Sequence, residues 1–138
     1  MENKELKDPQ IFISKEAREL YDNIKKMDEF EHFDNKDFFM LVVIFGYSKG
    51  KKKPLKTQDK TKSGFTRERY LTDTDISLLK AIAITEENDI GVVKNIPKVF
   101  AIAEEFANGA IDYLKEFVFE NPADFSKKFD SHLAKLIK

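Results

Sequence analysis

Residues 36–50 read KDFFMLVVIFGYSKG and contain the longest apolar run of the chain, the eight residues 38–45. Some apolar side chains here recur at helical spacing, and the residues between them are apolar too. The segment therefore has apolar side chains on most sides and is expected to be buried on most sides. Periodicity alone leaves two structures open, a central helix and an interior strand. The helix is favoured because Asn35 can cap its start and because Gly46 and Gly50 can end it.

Apolar stripes predict one helix before this segment and another after it. The stripe over 17–27 recurs at intervals of three and four residues, and Ser14 can cap the helix that carries it. The stripe over 76–83 follows Thr72 and Thr74, either of which can serve as the N-cap. Both segments are therefore predicted to be amphipathic helices.

A longer stripe runs over 100–117, and Asn95 can cap the helix that carries it. Asn108 and Gly109 fall in the middle of this stripe. An Asn-Gly pair favours a turn, so a kink or a break between two helices is expected there.

A last amphipathic helix is predicted over 122–138. Its apolar face consists of Phe125, Phe129, Leu133 and Leu136. This face either closes the core of the domain itself or docks onto a second copy or another subunit. Five such helices bury their stripes without a sheet. The predicted fold is therefore all-α, a compact bundle of about five helices with one long basic loop, in a single domain over 1–138 with a flexible tail at 1–10.

Composition excludes several classes of protein. The 138 residues contain no cysteine, which excludes a disulfide framework and thiolate metal sites and fits a reducing cytoplasm. The first ten residues are polar and lack the apolar region of a secretory signal. The longest apolar run is far shorter than the roughly 20 residues that span a bilayer. A cytoplasmic protein without a membrane partner is expected.

Candidate catalytic and metal-binding residues are few. His32 and His132 have no histidine or cysteine at ligand spacing, so neither a metal nor another cofactor is predicted. Glu104 and Glu105 lie in the middle of a predicted helix, where a solvated face is expected for both. The sequence shows no nucleophile paired with a base and no phosphate-binding glycine loop, so an enzyme is not predicted.

The segment 49–71, which we call the basic loop, has the strongest compositional bias of the chain. Its residues 49–69 read KGKKKPLKTQDKTKSGFTRER. The cations of the basic loop are Lys49, Lys51, Lys52, Lys53, Lys56, Lys60, Lys62, Arg67 and Arg69. Against these nine stand Asp59 and Glu68, which gives a local charge of +7, so the rest of a chain with net charge −1 sums to −8. Such polarity predicts an anionic partner.

The basic loop has two interpretations. Lysines spaced by Gly, Pro, Ser and Thr form a solvated, mobile loop that keeps the protein soluble, or they contact DNA phosphates with salt-dependent affinity. Phe65 and Tyr70 can stack on exposed bases or anchor the end of the loop to the core. Arg67 and Arg69 alternate as on one face of an extended segment, which suits phosphates or the carboxylates of an acidic protein surface.

Two motifs carry a resemblance to a known family. An apolar helix runs into G-[YF]-x-x-G-[KR]-[KR]-x-P-L, here residues 46–55, and F-A-N-G-A follows at 106–110. Both motifs resemble those of a small protein family associated with DNA sulfur-modification (dnd, phosphorothioation) gene clusters of bacteria and archaea. Ala110 stands where that family tends to show a second glycine. The resemblance covers about 11–117, and the tail over 118–138 is interpreted as an addition.

The resemblance implies a non-catalytic accessory protein of a DNA phosphorothioation-linked anti-phage defence system. Together with the basic loop, it leads to a predicted function in which the nine cations bind DNA phosphates. The alternative is an adaptor that tethers larger defence proteins through its helix faces, without direct DNA contact. The expected partners are DNA and other defence-system proteins, and a homo-oligomer is left open.

Overall fold

The computed structural model describes residues 9–26 and 32–120, with side chains described as far as Lys115. The α-helices of this part are α1 (Lys15–Lys25), α2 (Asn35–Ser48), α3 (Asp73–Glu87) and α4 (Ile96–Glu120). The strands are β1 (Gln10–Ile11) and β2 (Thr66–Arg67), and short 3-10 turns cover Thr57–Asp59, Glu68–Tyr70 and Ile90–Lys94. The prediction of a mainly α-helical fold is confirmed. The fifth helix predicted over 122–138 and the tail over 1–8 lie outside the described residues.

The apolar segment over 36–50 is helical rather than a strand. It forms α2, which packs against α4 at the centre of the molecule. Its N-cap is Asp34 rather than Asn35, because Asp34 and Asp37 form a reciprocal capping box. The Asn35 side chain instead accepts from Lys25 of α1 and donates to the carbonyl of Phe65 at 2.9 Å. Asn35 therefore fastens the end of the basic loop to the helix that precedes the loop.

The predicted caps of the other three helices are present. Ser14 accepts from Ala17 at the start of α1, and Thr72 forms a capping box at the start of α3. Asn95 accepts from the N–H of Lys98 at 3.1 Å at the start of α4. The predicted break between two helices at Asn108 is wrong, because α4 is continuous through that position.

Glycine permits the close crossing of α2 and α4. A Cβ atom at Gly46 would lie 2.2 Å from the carbonyl oxygen of Phe106, so a side chain of any size would push the helices apart. The buried residues of both helices form the centre of one core that also takes in Tyr21 of α1 and Leu79 of α3.

A small antiparallel sheet joins the start of the described chain to the end of the basic loop. Gln10 pairs with Arg67 and Ile11 with Thr66, and a further bridge joins Ser14 to Lys60. No strand pairing was predicted here. Within the described residues, no helix is both long enough and apolar enough to cross a membrane.

Candidate nucleic-acid interface

The basic loop begins where α2 ends in a glycine cap. Gly50 adopts a left-handed conformation with φ of 63°. The N–H of Gly50 donates to the carbonyl of Tyr47, and the N–H of Lys51 donates to the carbonyl of Gly46, each at 3.0 Å. This pair of bonds is a Schellman motif, which turns the chain sharply away from the helix axis. It directs residues 51–54 across the surface of α4.

Residues 51–54, which we call the docked segment, lie directly on the backbone of α4. The N–H of Lys53 donates to the carbonyl of Glu105 at 3.0 Å. The Asn108 side chain donates to the carbonyls of Lys53 at 3.3 Å and of Pro54 at 3.0 Å. A Cβ atom at Gly109 would lie 2.4 Å from the carbonyl oxygen of Lys51. Asn108 and Gly109 therefore form a seat for the loop, and the two motifs of the sequence analysis meet at this seat.

The far end of the basic loop is held by the start of the described chain. The N–H of Thr61 donates to the carbonyl of Ile13 at 3.1 Å, and the N–H of Phe65 donates to the carbonyl of Ile11 at 2.7 Å. Phe65 is only 3% exposed, and its ring lies 5.5 Å from that of Tyr21. Of the two interpretations of Phe65, the anchor is therefore the one that the structure shows. The basic loop is fixed at both ends.

Three lysines of the basic loop are directed at groups of the protein itself. Lys52 forms an ion pair with Glu86 of α3 at 2.7 Å and lies 4.0 Å from Glu105. The hydrogen bond to Glu86 raises the pKa of Lys52. The ammonium group of Lys49 lies 5.6 Å from the centre of the Tyr113 ring, and that of Lys60 lies 5.2 Å from the centre of the Phe12 ring.

Four other lysines of the loop are exposed: Lys51, Lys53, Lys56 and Lys62. Within the described part of the chain, none of these four has an ion pair. Lys51 and Lys53 belong to the docked segment, whose backbone is fixed. The structure therefore displays four charged groups outward, two of them from a held backbone.

The arginines do not lie as predicted. Arg67 belongs to β2, whereas Arg69 lies in the 3-10 turn Glu68–Tyr70, so the two do not share one face of an extended segment. The guanidinium group of Arg69 lies 5.4 Å from the centre of the Tyr70 ring, and Tyr70 is 56% exposed. Tyr70 is therefore the exposed aromatic residue at this end of the loop, and Phe65 is not.

Glu104 is buried, contrary to the expectation of a solvated face. It is 8% exposed, and its carboxylate accepts from the N–H of Phe12 at 2.7 Å. Burial raises the pKa of the Glu104 carboxyl, and the nearby charge of Lys60 opposes that rise. The carboxylate therefore ties the segment before α1 to α4. Lys60, whose charge acts on Glu104, lies where the basic loop is bridged to Ser14.

Asn108 and Glu104 hold the segments of this surface together, a role that the sequence patterns did not predict. The signal that points to them is their spacing, since Glu104 lies four residues after Phe100 and Asn108 lies four residues after Glu104. Polar residues at helical spacing within an apolar stripe face other protein groups rather than water, and such groups need partners.

Other predicted sites are untested by the structure. The predicted partner-binding residues lie outside the described part of the chain, as does His132. The partner-binding residues are Phe125, Phe129, Leu133 and Leu136. Among the residues that the structure describes, no three carboxylate or histidine side chains are grouped so as to hold a metal ion.

Comparison with known proteins gives one family. The family described as DNA sulphur modification system-associated protein 4 matches residues 10–135. The match confirms the resemblance, and it extends beyond the range of 11–117 expected for it, so the tail is part of the family rather than an addition. No curated protein and no solved structure gives a significant match.

Proposed function

The chain belongs to the family of DNA sulphur modification system-associated protein 4, and we propose that it serves that system as a non-catalytic accessory that binds DNA phosphates through the basic loop. The family description links the protein to a DNA sulphur modification system. Its own contribution, in this proposal, is to hold DNA. The observation that carries the proposal is the four exposed lysines of the basic loop that have no ion pair with a described residue, two of which, Lys51 and Lys53, lie on a backbone that α4 fixes.

The docked segment suits a phosphate backbone better than a free lysine tail does. Ordering a chain on binding costs roughly 1–2 kcal/mol per residue, and this segment is already ordered by its bonds to Glu105 and Asn108. Lysine contacts a phosphate as a point charge and reads no base. We therefore expect binding without strong sequence preference.

The four exposed lysines set the expected salt dependence. Each neutralised phosphate releases a counterion, so four contacts give a slope of roughly −3 to −4 in a plot of log affinity against log salt. Affinity for a short labelled duplex should then fall roughly a hundredfold between about 50 and 200 mM salt. Fluorescence anisotropy over that range measures the slope.

Two matched variants separate the proposed contacts from the structural lysine between them. The double variant Lys51→Gln and Lys53→Gln removes two unpaired charges and should flatten the slope by roughly two. Lys52→Gln removes one charge that Glu86 already engages. It should leave the slope nearly unchanged and lower stability by at most about 1 kcal/mol, as expected of a partly exposed ion pair.

Failure to bind the duplex at low salt would refute the proposal. Equal slopes for the double variant and the wild-type protein would also refute it, because the loop would then not be the contact. Either result would favour the adaptor role, in which the loop contacts an acidic protein surface.

A further inference from the structure

We propose that a cleft under the basic loop binds a phosphate group, and that Lys15, which lies outside the loop, is one of the residues that bind it. The inference deepens the proposed function and rests on it for the identity of the ligand, a phosphate of the DNA backbone. The cleft measures about 350 Å³ and lies between the start of α1, the docked segment and the turn Thr57–Asp59.

Three lysines from three separate segments line this cleft. Lys15 is the first residue of α1, Lys53 belongs to the docked segment, and Lys56 immediately precedes the turn Thr57–Asp59. The ammonium group of Lys15 lies 3.4 Å from the carbonyl oxygen of Gln58, so its side chain extends from α1 to the loop. Lys15 and Lys53 are 38 positions apart in the sequence, and only the fold brings them to one concavity.

The backbone around the cleft is held in place. Lys53 is fixed through its own N–H and carbonyl, which bond to Glu105 and to Asn108, and Asn108 also lines the cleft. Ser14, another lining residue, caps α1 and is bridged to Lys60. The positions from which the lysines start are therefore set before a ligand arrives, which reduces the entropic cost of binding.

The charge balance of the cleft favours an anion. Glu16 and Asp59 also line it, but Glu16 is engaged by an ion pair with Lys115 of α4. Three lysines of the lining therefore face one acid, Asp59, that is not in an ion pair with a described residue. Mobile ammonium groups can surround a tetrahedral anion from several sides, and phosphate, as the singly charged diester of DNA or as the free ion, is the common biological anion of that shape.

The test compares single charge removals at the cleft with one elsewhere on α1. Lys15→Gln, Lys53→Gln and Lys56→Gln are each expected to lower affinity for the labelled duplex roughly tenfold at about 50 mM salt, because each loses one phosphate contact. Lys26→Gln, an exposed lysine at the other end of α1, is the matched control and should change affinity less than twofold. Thermal unfolding checks that all four remain folded.

A second measurement uses inorganic phosphate instead of DNA. In nuclear magnetic resonance titrations of the wild-type protein, we expect phosphate to shift the backbone amides of Lys15 and Lys53 and the side-chain amide of Asn108. Lys15→Gln should weaken these shifts, and Lys26→Gln should not. Inorganic phosphate and a glutamate polymer can also be compared as competitors of DNA. If the polymer displaced DNA as effectively as phosphate does, the assignment of the cleft to phosphate would be overturned.

The two measurements distinguish failure of this site from failure of the proposed function. If the duplex binds but Lys15→Gln behaves like Lys26→Gln, the site is overturned and the DNA-binding role stands. If the wild-type protein does not bind DNA but phosphate shifts the amide resonances of the cleft, the site is supported for a free phosphate compound and the DNA-binding role is refuted. Shifts scattered over the surface would overturn the site.

Discussion

Asn108 shows how one residue can position a loop. An asparagine in the middle of a helix costs roughly 0.5 kcal/mol relative to alanine, so its presence at a buried position calls for a compensating contact. Both of its hydrogen bonds go to carbonyls of the docked segment, at Lys53 and Pro54. Without Asn108, those two carbonyls would lack this hydrogen-bond donor from the protein. The amide thus satisfies two acceptors and places the lysine side chains next to them.

Tyr21 carries a polar group without an evident partner. Its ring is fully buried between Phe38 and Phe65, and its hydroxyl has no hydrogen-bond partner among the residues that the structure describes. Burial raises the pKa of this hydroxyl far above its ordinary value, so it stays protonated. A buried polar group without a partner costs roughly 1–3 kcal/mol.

Tyr21→Phe should therefore leave stability unchanged or raise it by up to about 2 kcal/mol, because the ring contacts remain and the unpaired hydroxyl is removed. Urea unfolding followed by circular dichroism measures this. Tyr47→Phe, at a half-buried ring on Phe106, serves as the control and should change stability by less than about 0.5 kcal/mol. A loss above about 1 kcal/mol for Tyr21→Phe would show that its hydroxyl is bonded in solution.

At the scale of elements, local signals predicted what local physics determines. Ser14, Thr72 and Asn95 cap their helices as predicted, because a cap bonds to backbone within three residues of itself. The docking of the basic loop on α4 could not be predicted in this way. It depends on Asn108 meeting carbonyls 54 and 55 positions away, and an Asn-Gly pair in isolation indicates a turn.

Gly109 tests whether α4 is built to receive the loop. Alanine is the better helix former by roughly 1 kcal/mol, so Gly109→Ala would stabilise an isolated helix. In this fold the added methyl group would lie 2.4 Å from the carbonyl of Lys51, and the docked segment would have to move.

We therefore expect Gly109→Ala to lower stability by roughly 1–3 kcal/mol and to weaken DNA binding, although no charge changes. Gly91→Ala, in an exposed turn where the methyl group would meet only the Asp89 side chain, is the control for stability. A Gly109→Ala protein as stable as the wild type would show that the loop leaves its seat at little cost.

Glu104 gives a pH dependence to the contact between α4 and the segment before α1. Burial, and to a lesser degree the charge of Glu105, raises the pKa of Glu104 in the folded protein, while Phe12 and Lys60 oppose that rise. Between the ordinary carboxyl pKa, about 4.3, and the raised value, the folded state holds more protons than the unfolded state. The contribution of Glu104 to the free energy of unfolding therefore falls as pH rises through that window.

Glu104→Gln removes the charge and keeps an oxygen that can accept from Phe12. We expect the stability of the variant minus that of the wild type to be larger at pH 7 than at about pH 4. At about pH 4 the wild-type carboxyl is itself protonated, so the substitution changes little there. Urea unfolding at both pH values measures the difference. A variant whose stability relative to the wild type is the same at both would contradict the raised pKa.

At the scale of the whole molecule, positive charge is concentrated in one segment of the chain, the basic loop. The basic loop has a charge of +7 and the rest of the chain −8, yet only Lys52 of the four lysines between 51 and 56 forms an ion pair among the described residues. Its partner Glu86 lies on α3, so this one contact fastens the loop to a second helix. The other three have no ion pair with a described residue, and in the proposed function the negative charge of the rest of the chain disfavours binding of nucleic acid elsewhere.

The proposed role requires a loop that is held in place, and hydrogen exchange can test this across the whole molecule. The backbone amides of Lys51, Lys53, Thr61 and Phe65 each donate to a backbone carbonyl, so they should exchange slowly. The amide of exposed Lys62 donates to no backbone carbonyl among the described residues and should exchange fast. Gly109→Ala should speed exchange at Lys53, whose amide donates to Glu105 of α4, but not at Thr61 and Phe65, whose amides donate to carbonyls before α1. Fast exchange at all four amides in the wild-type protein would mean that the lysines move as a free tether, and pre-organisation would then contribute nothing to binding.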